Sequence, residues 1–346
     1  MIGFEPRMPL ACFAARTRDA AVLMSSSSGG VFTELARRVL AQGGVVAGTA
    51  WNRRTWQVEH RVVRDETGLA ELRGAKYVYS HFAGVFGELE QCLSEGRPVL
   101  FSGVPCQIAA ARRRLRDAEG LLTCGIICHS GVDEKIWLRY VAEAEKEARS
   151  RLTDIRFRDK SDGSGLSRFV MEFENPRRNV SVLLDQCPYA RAFFSGYAAR
   201  EVCLSCRFRS GRAGMDILLG DFWGIEKHLP SWADGRCTSA VLVYTEKGLA
   251  AWKALDIEQT PVEYAQILEG NPMLERCVEP NAQKRALFLG KYRKCGVMRA
   301  YRRVSEGPWA VRLLRGIRRQ FGRMARRIPG LSRFQKSGRN RGAKRR

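Results

Sequence analysis

Two thiols stand two residues apart in Cys203-Leu-Ser-Cys206. That gap lets both sulfurs face one point at a turn, the arrangement that grips iron or zinc. One such pair is half of a four-thiol site. The cysteines that could complete it are Cys106, in Gly103-Val-Pro-Cys-Gln107, and Cys128, in Ile126-Ile-Cys-His129. Zinc ribbons bring two local pairs, whereas this chain has one pair and two distant singles. That pattern favours an iron–sulfur cluster assembled at a sheet edge, although the sequential cysteine run of ferredoxins is absent. His129 could ligate a metal or move a proton, and a structural histidine is the plainer alternative. Asp221, in Gly220-Asp-Phe-Trp-Gly224, is a second candidate for handling protons.

A second kind of chemistry is written in Ser25-Ser-Ser-Ser-Gly-Gly30. Hydroxyls and free N–H groups at a helix start form an anion site, and Gly29 and Gly30 let a phosphate approach the backbone. A plain serine N-cap after a flexible loop is the competing reading. Arg73-Gly-Ala-Lys-Tyr-Val-Tyr-Ser80 combines a glycine, a cation, two rings and a hydroxyl, which suits a phosphate and a planar ring, and by itself fits a surface turn equally well.

The elements that must position these residues follow from periodicity. A strand begins at Cys12. A helix runs through Val31, Phe32, Leu35, Ala36, Val39 and Leu40 and ends at Gly43-Gly44, and Val45 to Trp51 is the next strand. Pro98 to Gly103 and Leu121 to Cys128 read as strands, each followed by a helix, the second capped by Asp133. Consecutive strand–helix units predict a mostly parallel sheet with Cys106 and Cys128 at the carboxyl ends of its strands, the edge where open α/β sheets bind ligands. A helix start at Cys106 also predicts that the dipole favours its thiolate. From Thr153 the texture alternates in short segments, Asp154–Arg158, Arg168–Glu174 and Val180–Leu184, which predicts an antiparallel β insertion. The expected organisation is an α/β body with residues 1–90 and 91–298 as its two parts and a basic tail at 299–346.

The 346 residues suffice for a substantial core, and 45% hydrophobic content is ordinary for a globular protein. The absence of an apolar leader in Met1 to Leu10 points to a reducing cytoplasm, where eleven cysteines read as metal or redox groups rather than disulfides. Net charge is +23, but residues 299–346 carry 17 basic residues against Glu306 alone. There Trp309, Leu313, Ile317, Phe321, Met324 and Ile328 share one helical face, the makings of a basic amphipathic helix for the inner face of an anionic membrane; an RNA or acidic partner, or a merely solvated basic tail, explains the charge equally well. The core lacks the interleaved aromatic and basic residues of a nucleic-acid surface, so a zinc-stabilised RNA-binding protein is disfavoured.

Taken together, Ser26-Ser-Ser-Gly-Gly30, Gly74-Ala-Lys-Tyr77, Phe101 to Gln107, Ile127-Cys-His129, Phe157-Arg-Asp-Lys160, Cys203-Leu-Ser-Cys206 and Gly220 to Gly224 occur in the order of one family. Over about Cys12 to Leu255 the chain resembles the coenzyme F-420 hydrogenase/dehydrogenase beta subunit family. The resemblance implies FAD bound by Ser26, Ser27, Ser28, Gly29, Gly30, Lys76 and Tyr77. It implies a 4Fe-4S cluster held by Cys106, Cys128, Cys203 and Cys206. Electrons would pass between a one-electron donor and a two-electron acceptor, coenzyme F-420 or another small molecule. Many relatives carry a ferredoxin-like N-terminal domain; this chain starts at the core, which implies a separate ferredoxin-like carrier protein. The alternative function is a membrane-peripheral accessory protein of polysaccharide biosynthesis without redox activity.

Overall fold

A computed structural model describes residues 5–162 and 166–306. Eleven strands form two sheets among these residues. The large sheet contains β1 (Ala11–Arg16), β2 (Val45–Trp51), β3 (Val58–Val63), β4 (Val99–Gly103) and β5 (Leu121–Ile126). It is completed by β9 (Ile217–Asp221), β10 (Ser239–Val243) and β11 (Glu258–Pro261), in the order β11-β1-β10-β9-β5-β4-β2-β3. The small sheet pairs β6 (Leu152–Asp159), β7 (Arg168–Phe173) and β8 (Val180–Leu183), all antiparallel.

The fold is mixed α/β. The expected parallel sheet is present at the centre, where β2, β4, β5 and β9 run side by side in one direction. Both flanks are antiparallel instead: β3 on β2 at one edge, and β10, β1 and β11 in succession at the other. The central strands are near-continuous apolar runs because helices cover both faces; all five residues of β4 are buried. The antiparallel β insertion is present as the small sheet.

One face of the large sheet packs against helix Val31–Ala41, whose Val31, Leu35, Ala36 and Val39 fall on its buried side at helical spacing. The other face is covered by helices Phe86–Ser94 and Pro105–Arg114. A third core gathers Trp137 of helix Glu134–Ala148, Phe157 and Phe169 of the small sheet, and Tyr189 and Phe193 of helix Pro188–Phe194. The expected basic amphipathic helix through Trp309 to Ile328 lies outside the described residues. Among the described residues no helix is long and apolar enough to cross a membrane.

Asp216 locks the centre. Its buried carboxylate accepts from the Thr123 N–H at 2.8 Å, the Thr123 hydroxyl at 2.7 Å and the Thr245 hydroxyl at 2.7 Å, so it ties β5, β9 and helix Glu246–Lys253 together. Truncation orphans the two buried Thr123 donors and the half-buried Thr245 hydroxyl at once. Asp216→Ala should therefore cost about 3–5 kcal/mol in urea unfolding. A loss under about 1 kcal/mol would show that the carboxylate is not the clamp.

Candidate functional site

At the carboxyl ends of β4, β5 and β9 the chain leaves the sheet and opens a cavity of about 710 Å³. Its walls carry Cys106, Cys128, Cys203 and Cys206 together with Ser26, Ser27, Ser28, Gly30, Lys76, Tyr77, His129 and Asp221. The sequence places these residues up to 195 positions apart, from Ser26 to Asp221. Of the candidate ligands and proton carriers named above, Gly29 alone does not line the cavity; it lies behind the serine loop, its N–H donating to the Ser239 hydroxyl at 2.9 Å.

Cys106 is the second residue of helix Pro105–Arg114, in a turn that Gln107 holds from within. The Gln107 Oε1 accepts from the Val104 N–H at 3.1 Å and its Nε2 donates to the Ser80 hydroxyl at 2.9 Å. Ser80 in turn meets His60 Nδ1 at 3.1 Å, and His60 Nε2 meets the Ser102 carbonyl at 2.8 Å. The carbonyl can only accept, so Nε2 carries the proton and Nδ1 accepts from Ser80. Burial brings the His60 pKa down to about 4, so the ring stays neutral. Gln107→Ala should cost about 1–3 kcal/mol and loosen the Cys106 turn. Chemical denaturation reads the first effect and the rate of Cys106 alkylation the second; an unchanged alkylation rate would sink the positioning role.

A backbone donor meets the Cys203 sulfur, and the segments that carry Cys206 and Cys128 are held through their backbones. Gly131 N–H donates to Cys203 Sγ at 3.3 Å. The Cys206 N–H donates to Cys277 Sγ at 3.2 Å. Arg209 donates to the Cys128 carbonyl at 2.7 Å and the His129 carbonyl at 2.8 Å, and also bonds the Met273 carbonyl. Burial raises the pKa of Cys106, Cys128 and Cys206, and each is raised further by neighbouring thiols of the same set. The lowered Cys106 pKa expected from a helix start is not found: burial raises it instead.

Among the described residues no three His, Cys, Asp or Glu side chains stand close enough to hold a single metal ion. One tetrahedral zinc needs all its sulfurs within bonding distance of one point. A four-iron cluster sets each thiolate on a different iron and so spreads the sulfurs more widely. The four thiols line one cavity, an all-sulfur donor set of the kind such a cluster takes.

The serine loop differs from a simple helix cap. Gly30 is the N-cap at φ 80°, and no side chain caps helix Val31–Ala41. Ser27 Oγ accepts from Ala75 N–H at 2.6 Å, which joins the loop to the Gly74-Ala-Lys-Tyr77 segment. Lys76 donates to the Arg73 carbonyl at 2.9 Å and the Gly74 carbonyl at 3.2 Å, and desolvation lowers its pKa to about 7. Tyr77 stacks on Phe193, with ring centroids 4.7 Å apart. His129 tilts against the same ring at 5.2 Å, and its Nε2 is buried without a partner. Asp221 is ion-paired to Arg158.

Several wall residues escaped the sequence reading. Arg158, Arg209 and Trp223 line the cavity and Cys277 backs Cys206. Arg158 sits inside the quoted Phe157-Arg-Asp-Lys160 motif and Arg209 three residues after the knuckle, so proximity to motifs was the available signal. For Cys277, 71 residues from Cys206, there was none.

The structure is thus a mixed α/β body with a thiol-lined cavity at its strand ends. Family sequence patterns match twice: the coenzyme F420 hydrogenase/dehydrogenase beta subunit N-terminal pattern at residues 12–86 and the C-terminal pattern at residues 96–267. The chain belongs to the coenzyme F420 hydrogenase/dehydrogenase beta subunit family, a family of oxidoreductase subunits. Among solved structures it is similar to a chain of the F420-reducing [NiFe] hydrogenase complex from Methanosarcina barkeri. The two share 20% identity and a TM-score of 0.52 over 79% of this chain and 93% of that one, a likeness of fold. A search of curated proteins found no match. Neither family nor fold supports the alternative of an accessory protein without redox activity.

Proposed function

We propose that this chain is an iron–sulfur flavoprotein that passes electrons between a one-electron carrier protein and a two-electron small-molecule acceptor, coenzyme F420 being the acceptor the family name suggests. The observation that carries the reading is one cavity walled both by Cys106, Cys128, Cys203 and Cys206 and by the Ser26–Gly30 loop with Lys76 and Tyr77. A bound cluster supplies electrons singly and a bound FAD accepts or releases them in pairs.

The chain's own residues have separable tasks. The four thiolates would hold the iron. The Gly131 N–H on Cys203 Sγ and the buried Arg209 guanidinium beside Cys128 offset negative charge there. Ser26, Ser27, Ser28 and Gly30 with the adjacent helix start would take the diphosphate. Of the two proton-handling candidates, His129 is favoured, because its Nε2 has no partner while the Asp221 carboxylate is held by Arg158. The membership of the similar hydrogenase chain in a complex supports an electron-carrying partner subunit for this one.

Anaerobic purification should give brown protein with flavin absorbance and about four irons per chain, the content of a cubane cluster on four thiolates. Colourless protein binding zinc would overturn the reading. Lys76 adds a pH test. With its pKa near 7, below the ordinary lysine value, the side chain is a neutral amine above that pH and a charged ammonium below it. FAD affinity should therefore strengthen as pH falls from about 8 to about 6, and Lys76→Met should flatten the profile. A wild-type profile that weakens on acidification would exclude Lys76 as a phosphate-side cation.

A further inference from the structure

The charged side chains lining the cavity are Arg73, Lys76, Arg158 and Arg209 against the single carboxylate of Asp221, among the described residues. Under the reading proposed above, Arg73 and Lys76 adjoin the phosphate loop and Arg209 adjoins the thiols. Arg158 faces the Tyr77 hydroxyl on the flavin side and is paired with Asp221. It is 7% exposed, yet its Nε has no hydrogen-bond partner. A buried guanidinium with an idle donor is costly unless something binds there. Its backbone is held at φ 59°, in the left-handed region that a non-glycine residue rarely occupies, at the end of β6. The Trp223 ring covers the guanidinium at 5.1 Å and is itself 53% exposed. An exposed indole beside a buried, partly unsatisfied arginine offers a face for a conjugated ring and a fork for a carboxylate or phosphate.

We propose that Arg158 and Trp223 form the acceptor subsite, which takes a planar acceptor bearing an anionic group. Asp221 is a built-in competitor: its carboxylate occupies the guanidinium until the anion of the acceptor displaces it. The assignment rests on the redox reading for calling the ligand an acceptor, but the anion preference itself does not depend on a bound flavin.

The test is calorimetric titration of the purified protein with para-nitrobenzoate and with its uncharged methyl ester. The acid should bind about tenfold more tightly than the ester, the worth of one charge-assisted pair. Arg158→Gln should abolish that preference, Arg158→Lys should keep part of it, and Asp221→Asn should increase it. Trp223→Ala should weaken acid and ester alike. A purely structural ion pair would make the Arg158→Gln and Asp221→Asn variants move together; that outcome, or an unchanged preference in Arg158→Gln, overturns the proposal. Should Arg158→Gln not fold, the opposed directions of Arg158→Lys and Asp221→Asn decide. Iron and flavin assays on the same samples separate the two readings, since protein lacking both but retaining the acid preference would sink only the redox function.

Discussion

Replacing Cys128 with serine should reduce iron from about four per chain to near zero, with flavin content kept and electron transfer from donor to acceptor slowed at least about 100-fold. Cys128 lies where β5 leaves the sheet, beside Arg209 and within electrostatic reach of Cys106, Cys203 and Cys206. Serine preserves the volume and removes the soft ligand, so the loss reports on ligation rather than packing. Cys124→Ala is the matched control. Cys124 is fully buried within β5, and burial lifts its pKa to about 12, which marks it as a packed thiol. That variant should lose about 1 kcal/mol of stability and no iron. Equal iron in wild type and Cys128→Ser would remove Cys128 from the ligand set. Cys277→Ser bears on the thiol behind Cys206: the Cys206 N–H has an acceptor in either variant, so iron should stay at the wild-type level.

The central strands were legible because their burial is recorded directly in composition. Val99-Leu-Phe and Leu121-Leu are apolar without alternation, as strands covered on both faces must be. That is also why the positions of Cys106 and Cys128 at strand ends were legible in the sequence. The flanks were not legible. Val58-Glu-His-Arg-Val-Val63 and Glu258-Gln-Thr-Pro261 are short, polar edge strands whose pairing is decided by neighbours distant in sequence. The direction of β10 likewise depends on its register against β9 and β1, which no local pattern encodes.

The site divided along the same line. Spacing pointed to the knuckle and the serine loop because both are local devices. Arg158, Gln107 and Cys277 act through partners 63, 27 and 71 residues away, and their roles exist only once the chain is folded. Even within the serine run the local reading of an anion site was incomplete. Ser27 holds Ala75, and Ser28 meets Ser239 at 3.1 Å, so these hydroxyls also build the wall.

Gly29→Ala should be the most damaging single-methyl change in the loop. A Cβ there would lie 2.4 Å from the Ala15 carbonyl oxygen and 2.8 Å from the Ser239 nitrogen, both backbone atoms of strands in the large sheet. Neither can yield, because Ala15 pairs with Ser239 across β1 and β10. The Gly29 backbone is also bonded on both sides, its N–H to the Ser239 hydroxyl and its carbonyl to the Thr17 N–H at 2.7 Å. The loop would have to lift off the sheet, carrying Ser26, Ser27 and Ser28 out of the cavity wall. The expected cost is about 3 kcal/mol, the upper range for forcing a methyl into a packed site, with FAD affinity reduced at least about tenfold. Gly74→Ala gives the contrast. Gly74 has φ 84° but nothing within 4 Å of its Cβ position, so only backbone strain of about 1 kcal/mol is incurred. Urea unfolding and FAD titration of the two variants should separate close approach from conformational strain. Equal losses in the two would mean that the Ser26–Gly30 loop is not held against the sheet at Gly29.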